Sequence, residues 1–109
     1  MVDFGAAWCV PCREENPNLV KAYQKFKGKN LEILGVSLDL KKDAWVDAIA
    51  KDNLPWKQVS DLNGWENEVS RMFNIRSVPA NILIDKEGKI IALNLRGEEL
   101  EKKLSEVLL

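Results

Sequence analysis

The 109-residue sequence predicts a single α/β domain built on a mixed central sheet with helices on both faces. In the first half, a short apolar run, a segment with helical spacing of apolar residues and a second apolar run indicate the order βαβ. This order predicts parallel strands joined by a helix. The second half has the order ββα and contains a hairpin turn, which predicts an antiparallel pair of strands. A chain of this length can bury one hydrophobic core but not two.

The first βαβ unit begins with a short apolar run at residues 2–6, typical of a strand that is buried on both faces. The spacing of apolar residues predicts a helix from Val10 to about Lys27, and Gly28 is expected to end it. Pro17 removes a backbone hydrogen bond inside this helix, which predicts a kink or the start of a second helix. A second buried strand is predicted at residues 31–38.

The connecting segment is predicted to hold a helix, a short strand and a short helix, and to be an insertion between the two halves of the fold. These elements are residues 43–51, 56–60 and 65–73. Residues 80–84 and 89–93 then predict two strands joined by a hairpin turn at 85–88. An amphipathic helix at residues 98–109, with Leu100, Leu104, Val107 and Leu108 facing inward, closes the chain.

The only two cysteines, Cys9 and Cys12, form a Cys-X-X-Cys motif where the first strand is predicted to become a helix. Unpaired backbone N–H groups and the helix dipole lower the pKa of a thiol at this position. Cys9 is therefore the candidate nucleophile and is expected to be exposed. Cys12, one turn further in, is expected to resolve a mixed disulfide on Cys9. A disulfide in so short a loop constrains the unfolded chain little, which favours a redox role.

Other uses of the cysteine pair are weaker. Zinc needs about four ligands, and the chain has no histidine and no second cysteine pair. Attachment of a c-type haem requires histidine directly after the second cysteine, where Arg13 stands. A purely structural disulfide stays open as an alternative. We therefore expect no metal and no cofactor besides the redox-active disulfide itself.

Composition limits the class of protein and its partners. Hydrophobic residues make up 46% and charged residues 30%, a balance that is typical of globular domains. A net charge of -1 gives no broad basic surface, so we expect no nucleic acid partner. No apolar run approaches the roughly 18 residues that span a bilayer, and no signal peptide pattern is present. Because the sequence begins inside a predicted core strand, we expect either a minimal cytoplasmic protein or a piece of a longer one.

Three motifs are distributed along most of the chain. They are DFGAAWCVPCR at residues 3–13 with Pro17 after it, Val78-Pro79 before a strand, and DKEGK at residues 85–89. On these motifs the sequence resembles the thioredoxin fold and, within it, the bacterial TlpA/ResA-like thiol-disulfide oxidoreductases, which are related to AhpC/TSA proteins. The resemblance implies an active-site stretch, a cis-proline loop and a hairpin, in that order. It also implies one thioredoxin-like domain over residues 1–109, without the family's N-terminal strand or hairpin.

The sequence departs from this family pattern near the cysteines. Gly5 stands where the family usually has an aromatic residue, so we expect Trp45, Trp56 or Trp65 to fill the gap beneath the active site. Without the family's upstream strand, the outer edge of the strand at residues 31–38 needs other cover. Residues 56–60 are expected to supply it.

Asp3 alternates with Val2 and Phe4, so in a central strand its carboxylate would lie in a mostly apolar layer, where desolvation raises its pKa. A carboxyl group of this kind can accept a proton from Cys12. The resemblance supports that role, since thioredoxins hold an acid at the matching position. The alternative is an exposed side chain beside the start of the chain.

The substrate surface is expected to include Trp8, next to Cys9. The resemblance implies a cis bond before Pro79, which would offer the backbone of Val78 to a substrate strand beside Cys9. An ordinary trans proline that opens a strand is the alternative. Arg13 is expected either to stabilise the Cys9 thiolate or to be solvated.

The expected function is thiol-disulfide exchange, with the protein acting as a reductant. Its expected partners are protein thiols or disulfides and an upstream redox partner. The alternatives are a redox-inactive binding module that presents Val78 and Pro79, and a thiol peroxidase, although the residues before Cys9 do not reproduce the Pro-X-X-X-Thr-X-X-Cys setting of peroxiredoxins. The resemblance suggests a cell-envelope or periplasmic location if the chain belongs to a longer targeted protein, and a cytoplasmic one otherwise.

Overall fold

A computed structural model of the protein describes residues 1–108 and shows a five-stranded mixed sheet in the order β3-β2-β1-β4-β5. The strands are β1 (Val2–Gly5), β2 (Leu34–Ser37), β3 (Lys57–Ser60), β4 (Ala80–Ile84) and β5 (Ile90–Leu93). The helices are α1 (Val10–Phe26), α2 (Lys42–Lys51), α3 (Glu68–Met72) and α4 (Gly97–Val107), with 3-10 turns at Lys27–Lys29 and Gly64–Glu66.

The sheet is parallel on one side and antiparallel on the other. β1 and β3 both run parallel to β2, whereas β4 is antiparallel to β1 and β5 is antiparallel to β4. β1 is therefore the central strand, and the loop that follows it leads directly to Cys9. The predicted mixed sheet, the predicted hairpin and the predicted cover for β2 are all confirmed. The segment expected to be an insertion contributes an edge strand to the sheet itself.

Hydrophobic clusters lie on the two faces of the sheet, as predicted. On one face, Leu19 of α1 and Leu100 of α4 pack with Leu83 of β4. On the other face, Phe4 and Ile82 of adjacent strands form a second cluster, against which Val69 of α3 packs. Because side chains alternate along a strand, Asp3 points away from Phe4, toward the face that carries α1 and α4.

Helix α1 differs from its prediction in two ways. It runs through Pro17 as one helix, so a second helix start at that residue is wrong. It ends at Phe26, and the backbone then continues as a 3-10 turn through Gly28. Asn30, directly after this turn, has a φ of 73° and takes the left-handed conformation that commonly follows the end of a helix. An asparagine tolerates this conformation better than most residues do.

Two further elements are shorter than predicted or divided. Leu31 and Ile33 are buried in the core before β2 begins, so their apolar character extends beyond the paired strand. The helix predicted at residues 65–73 divides into a 3-10 turn and α3, because Asn67 caps the N-terminus of α3 through a 2.8 Å hydrogen bond from the Ser70 N–H.

The closing helix α4 buries Leu100 and Leu104 as predicted. Val107 was expected to face inward and does not, since it is 40% exposed. The predicted helix extends to Leu109, which lies outside the described residues. Within residues 1–108, no helix is long and apolar enough to cross a membrane.

Candidate active site

Cys9 and Cys12 form a disulfide at the N-terminus of α1, with an S–S distance of 2.15 Å and Cα atoms 5.2 Å apart. Cys9 is the N-cap residue of the helix, and its Sγ accepts a 3.2 Å hydrogen bond from the backbone N–H of Cys12. The expectation that Cys9 is exposed is wrong, because both cysteines are only 4% exposed. The sulfur of Cys9 lies against the first turn of the helix.

Asp3 lies in the central strand and lines a small cavity together with Gly5 and Cys12. The cavity has a volume of about 40 Å³, which is enough for a water molecule. Burial and, to a smaller extent, the negative charge of Glu15 together raise the pKa of Asp3 to about 7. Near neutral pH this carboxyl group can therefore both accept and release a proton.

The absence of a side chain at Gly5 leaves room beneath the disulfide. A Cβ atom at that position would lie 3.6 Å from the Cys12 Sγ. Of the three tryptophans expected to fill the gap, Trp45 lines the cavity and leaves part of it open. Trp56 packs elsewhere in the core, against Tyr23, at a ring distance of 5.5 Å.

The Val78-Pro79 peptide bond is cis. Ala80, the next residue, pairs with Phe4 of β1, so the loop lies at the same end of the sheet as the active-site segment. The Arg96 side chain donates a hydrogen bond of 2.5 Å to the carbonyl of Pro79 and so holds the loop from outside. Among the described residues, the backbone of Val78 makes no hydrogen bond.

Trp8 is half exposed, and its indole N–H donates a 3.2 Å hydrogen bond to the carbonyl of Leu38. Its ring lies 6.3 Å from the ring of Trp65, which is 44% exposed. Leu40 is also exposed and lines a groove with Trp8. Trp65, which was one of the tryptophans expected beneath the active site, therefore lies against Trp8 instead, and Leu40 was not predicted to belong to this surface.

A polar network surrounds the segment that precedes Cys9. The Arg13 guanidinium donates to both carboxylate oxygens of Asp52, at 2.5 and 3.0 Å, and a further N–H reaches the carbonyl of Ala7 at 3.3 Å. Asn16 donates to the same carboxylate at 2.8 Å. Asp39 accepts a 2.9 Å hydrogen bond from the Ala7 N–H, so the backbone N–H and the carbonyl of Ala7 are both hydrogen-bonded.

Arg13 is therefore held by Asp52 and is not simply solvated, which was one of the two expectations for it. Burial alone would raise the pKa of Asp52, but the hydrogen bonds from Arg13 and Asn16 hold it below its usual value. No spacing in the sequence indicates this ion pair, because its partners are 39 positions apart. Among residues 1–108, no group of three or more histidine, cysteine or acidic side chains is arranged to hold a metal ion.

A disulfide at the N-terminus of a helix, a buried acid in the adjacent central strand and a cis-proline loop at the same end of the sheet define a thioredoxin-type site. The Thioredoxin-like family model matches residues 1–90, and the chain belongs to this family.

The chain is also similar to individual proteins and solved structures. The chain is 30% identical over 107 residues to the thiol-disulfide oxidoreductase ResA of Bacillus thuringiensis, covering 98% of this chain and 60% of ResA. It is 32% identical to human nucleoredoxin over 91% of this chain and 23% of that protein. A thiol-disulfide oxidoreductase structure from Bacteroides fragilis matches with a TM-score of 0.91 and 42% identity, over 98% of this chain and 79% of the other. The chain thus spans about 60% of the length of ResA.

Proposed function

We propose that this chain is a thiol-disulfide oxidoreductase that reduces disulfides in other proteins. The observation that carries the proposal is the hydrogen bond from the Cys12 N–H to the Cys9 sulfur at the helix N-terminus. This position favours a thiolate on Cys9 once the disulfide is reduced. Further support comes from the related ResA and Bacteroides fragilis proteins, both of which are described as thiol-disulfide oxidoreductases.

In the first reaction step, the Cys9 thiolate attacks one sulfur of the substrate disulfide. A Cys9-substrate disulfide forms, the substrate S–S bond breaks, and the other substrate sulfur leaves as a thiolate that takes a proton from solvent. Cys9 is assigned this role because its sulfur is the one that accepts the helix N–H group.

In the second step, Cys12 resolves the mixed disulfide. Asp3 accepts the Cys12 proton, and the Cys12 thiolate attacks the Cys9 sulfur and displaces the second substrate thiolate. The Cys9–Cys12 disulfide re-forms, and the Asp3 proton then passes to solvent or to the departing thiolate. The placement of both groups around one cavity and a pKa of about 7 for Asp3 support this assignment.

The substrate polypeptide is proposed to lie across Trp8 and the cis-proline loop. The free backbone of Val78 offers an N–H and a carbonyl to an extended strand, beside Pro79. Each turnover leaves the protein oxidised, so an upstream electron donor is required. A cell-envelope location as part of a longer chain follows from the resemblance to TlpA/ResA-like proteins, and fractionation of cells that express the full-length product tests it.

The deciding experiment is equilibration of the cysteine pair with glutathione or dithiothreitol buffers, followed by the fluorescence of Trp8. A reduction potential near or below about -270 mV supports a reductant, whereas a value near -120 mV describes an oxidant and reverses the proposed direction. A disulfide that fails to exchange with dithiothreitol indicates a binding module instead.

A further inference from the structure

The ion pair between Arg13 and Asp52 joins the redox helix to its neighbour. Arg13 lies directly after Cys12 in α1, and Asp52 is the C-cap residue of α2. Two hydrogen bonds connect the guanidinium and the carboxylate, and their side chains are only 32% and 15% exposed. A paired geometry of this kind holds the two charges together more firmly than an exposed surface contact does.

The guanidinium lies close to the segment that carries Cys9. One of its N–H groups contacts the carbonyl of Ala7, two residues before Cys9, and the Arg13 backbone N–H donates to the carbonyl of Cys9 at 3.1 Å. The acidic groups that face the guanidinium are Asp52, Asp47 and Asp39. Of these three groups, only Asp52 forms hydrogen bonds with the guanidinium. Asp52 therefore determines how strongly the positive charge of Arg13 acts on the cysteine pair.

We propose that Asp52 sets the redox poise of the Cys9–Cys12 pair by neutralising the Arg13 guanidinium at the N-terminus of α1. This inference rests on the proposed oxidoreductase function. Asp52 is a positioning residue here, since it acts through Arg13 and contacts neither sulfur atom.

The charge that matters appears on reduction. Two glutathione thiols reduce the protein disulfide: the Cys9–Cys12 bond breaks, the glutathiones join as oxidised glutathione, and Cys9 becomes a thiolate and Cys12 a thiol, with one proton released. A nearby cation stabilises the Cys9 thiolate and so favours the reduced protein, while a nearby anion disfavours it. When the Arg13–Asp52 pair is neutral overall, only the N–H groups at the helix N-terminus stabilise the Cys9 thiolate.

The test compares two single variants that remove opposite charges. Asp52→Asn leaves Arg13 uncompensated and is expected to raise the equilibrium constant for reduction by glutathione about threefold to tenfold, as for one partly screened charge. A tenfold change corresponds to a potential about 30 mV less negative. Arg13→Gln leaves Asp52 uncompensated and is expected to shift the equilibrium in the opposite direction by a similar factor.

Two further variants separate charge from structure. The double variant Arg13→Gln/Asp52→Asn removes both charges, and its equilibrium constant is expected to return toward that of the native protein. Asn16→Ala removes a hydrogen bond to Asp52 but no charge, so its equilibrium constant is expected to stay unchanged. The shifts of the single variants are expected to shrink at high salt, because the pair is partly exposed.

A merely structural role for the ion pair gives a different result. In one such result, all four variants lose thermal stability while their reduction potentials stay equal to that of the native protein. In another, both single variants shift the reduction potential in the same direction. Either pattern overturns the inference. A native protein whose disulfide exchanges with neither glutathione nor dithiothreitol overturns the proposed function instead, and the two failures are therefore distinguishable.

Discussion

The backbone N–H of Cys12 donates a hydrogen bond to the sulfur of Cys9 at 3.2 Å, and this contact distinguishes two cysteines that are equally buried. The same N–H group would stabilise negative charge on Cys9 in the reduced protein. Cys12 lies within the first turn, over the cavity that Asp3 lines, and receives no such contact in the described structure. The two sulfurs are therefore expected to act in a fixed order.

Serine substitutions test that order. Cys12→Ser is expected to accumulate a stable mixed disulfide between Cys9 and a protein substrate, because no second thiol is present to release it. Cys9→Ser is expected to form little mixed disulfide and to lose essentially all disulfide reductase activity. Non-reducing electrophoresis after incubation with insulin, with mass spectrometry of the adduct, measures both results. An adduct that forms equally well through Cys12 in the Cys9→Ser variant contradicts the assigned order.

Asp3→Asn tests proton transfer. The variant is expected to slow resolution of the mixed disulfide by about tenfold to a hundredfold at neutral pH, because the amide cannot accept the Cys12 proton. In the native protein the rate of resolution should rise with pH through about 7, the pKa of Asp3, as the carboxylate forms. The variant should lack this inflection.

Stopped-flow fluorescence of Trp8 measures the rate, and Asp43→Asn on the exposed start of α2 is the matched control. An Asp3→Asn variant that keeps both the rate and the inflection would show that another group accepts the proton.

Asp3 also predicts how stability depends on pH. Its pKa is about 7 in the folded protein and about 4 in an unfolded chain, so between these values the folded state holds a proton that the unfolded state has released. The free energy of unfolding should therefore fall as pH rises from about 4 to about 7 and stay low above that. The full shift corresponds to about 4 kcal/mol, and we expect about half of it, since Asp3 retains some exposure.

Urea denaturation of the oxidised protein at pH 4.5 and pH 8 measures this effect. Asp3→Asn is expected to stabilise the protein by about 2 kcal/mol at the higher pH and to have little benefit at the lower one. If the native protein and Asp3→Asn differ in stability by the same amount at both pH values, the pKa of Asp3 is not raised in the folded protein.

Local sequence patterns predicted much of the fold but less of the site. The strand at residues 80–84 and the hairpin after it depend on neighbouring residues and were predicted correctly. The orientation of Asp3, away from Phe4, follows from strand alternation alone. By contrast, the burial of Cys9 depends on how the disulfide lies against α1, and the spacing of apolar residues in the sequence does not indicate this arrangement.

The contacts that sequence reasoning missed join residues far apart in the chain. The Arg13–Asp52 pair depends on the ends of two helices meeting, and the contact between Trp8 and Trp65 depends on the 3-10 turn after β3. The two residues of each pair lie far apart in the sequence, so composition and spacing gave no reason to join them. Their positions follow from the order of strands in the sheet.

Trp65→Ala tests whether the aromatic contact beside Cys9 helps to bind protein substrates. Trp65 lies 6.3 Å from Trp8 and is 44% exposed, so a polypeptide that reaches the disulfide would cover both rings. Losing one aromatic contact surface is expected to raise the KM for insulin about threefold to tenfold. The rate with a small disulfide such as oxidised glutathione should stay within about twofold, because that substrate is too small to cover both rings.

Ile90→Ala is the matched control for this prediction, since Ile90 is equally apolar and 50% exposed but belongs to edge strand β5. Its KM for insulin should not change. If Trp65→Ala slows the reduction of oxidised glutathione as much as that of insulin, the tryptophan supports the geometry of the disulfide and does not contact the substrate. If neither rate changes, protein substrates approach Cys9 across the Val78-Pro79 side alone.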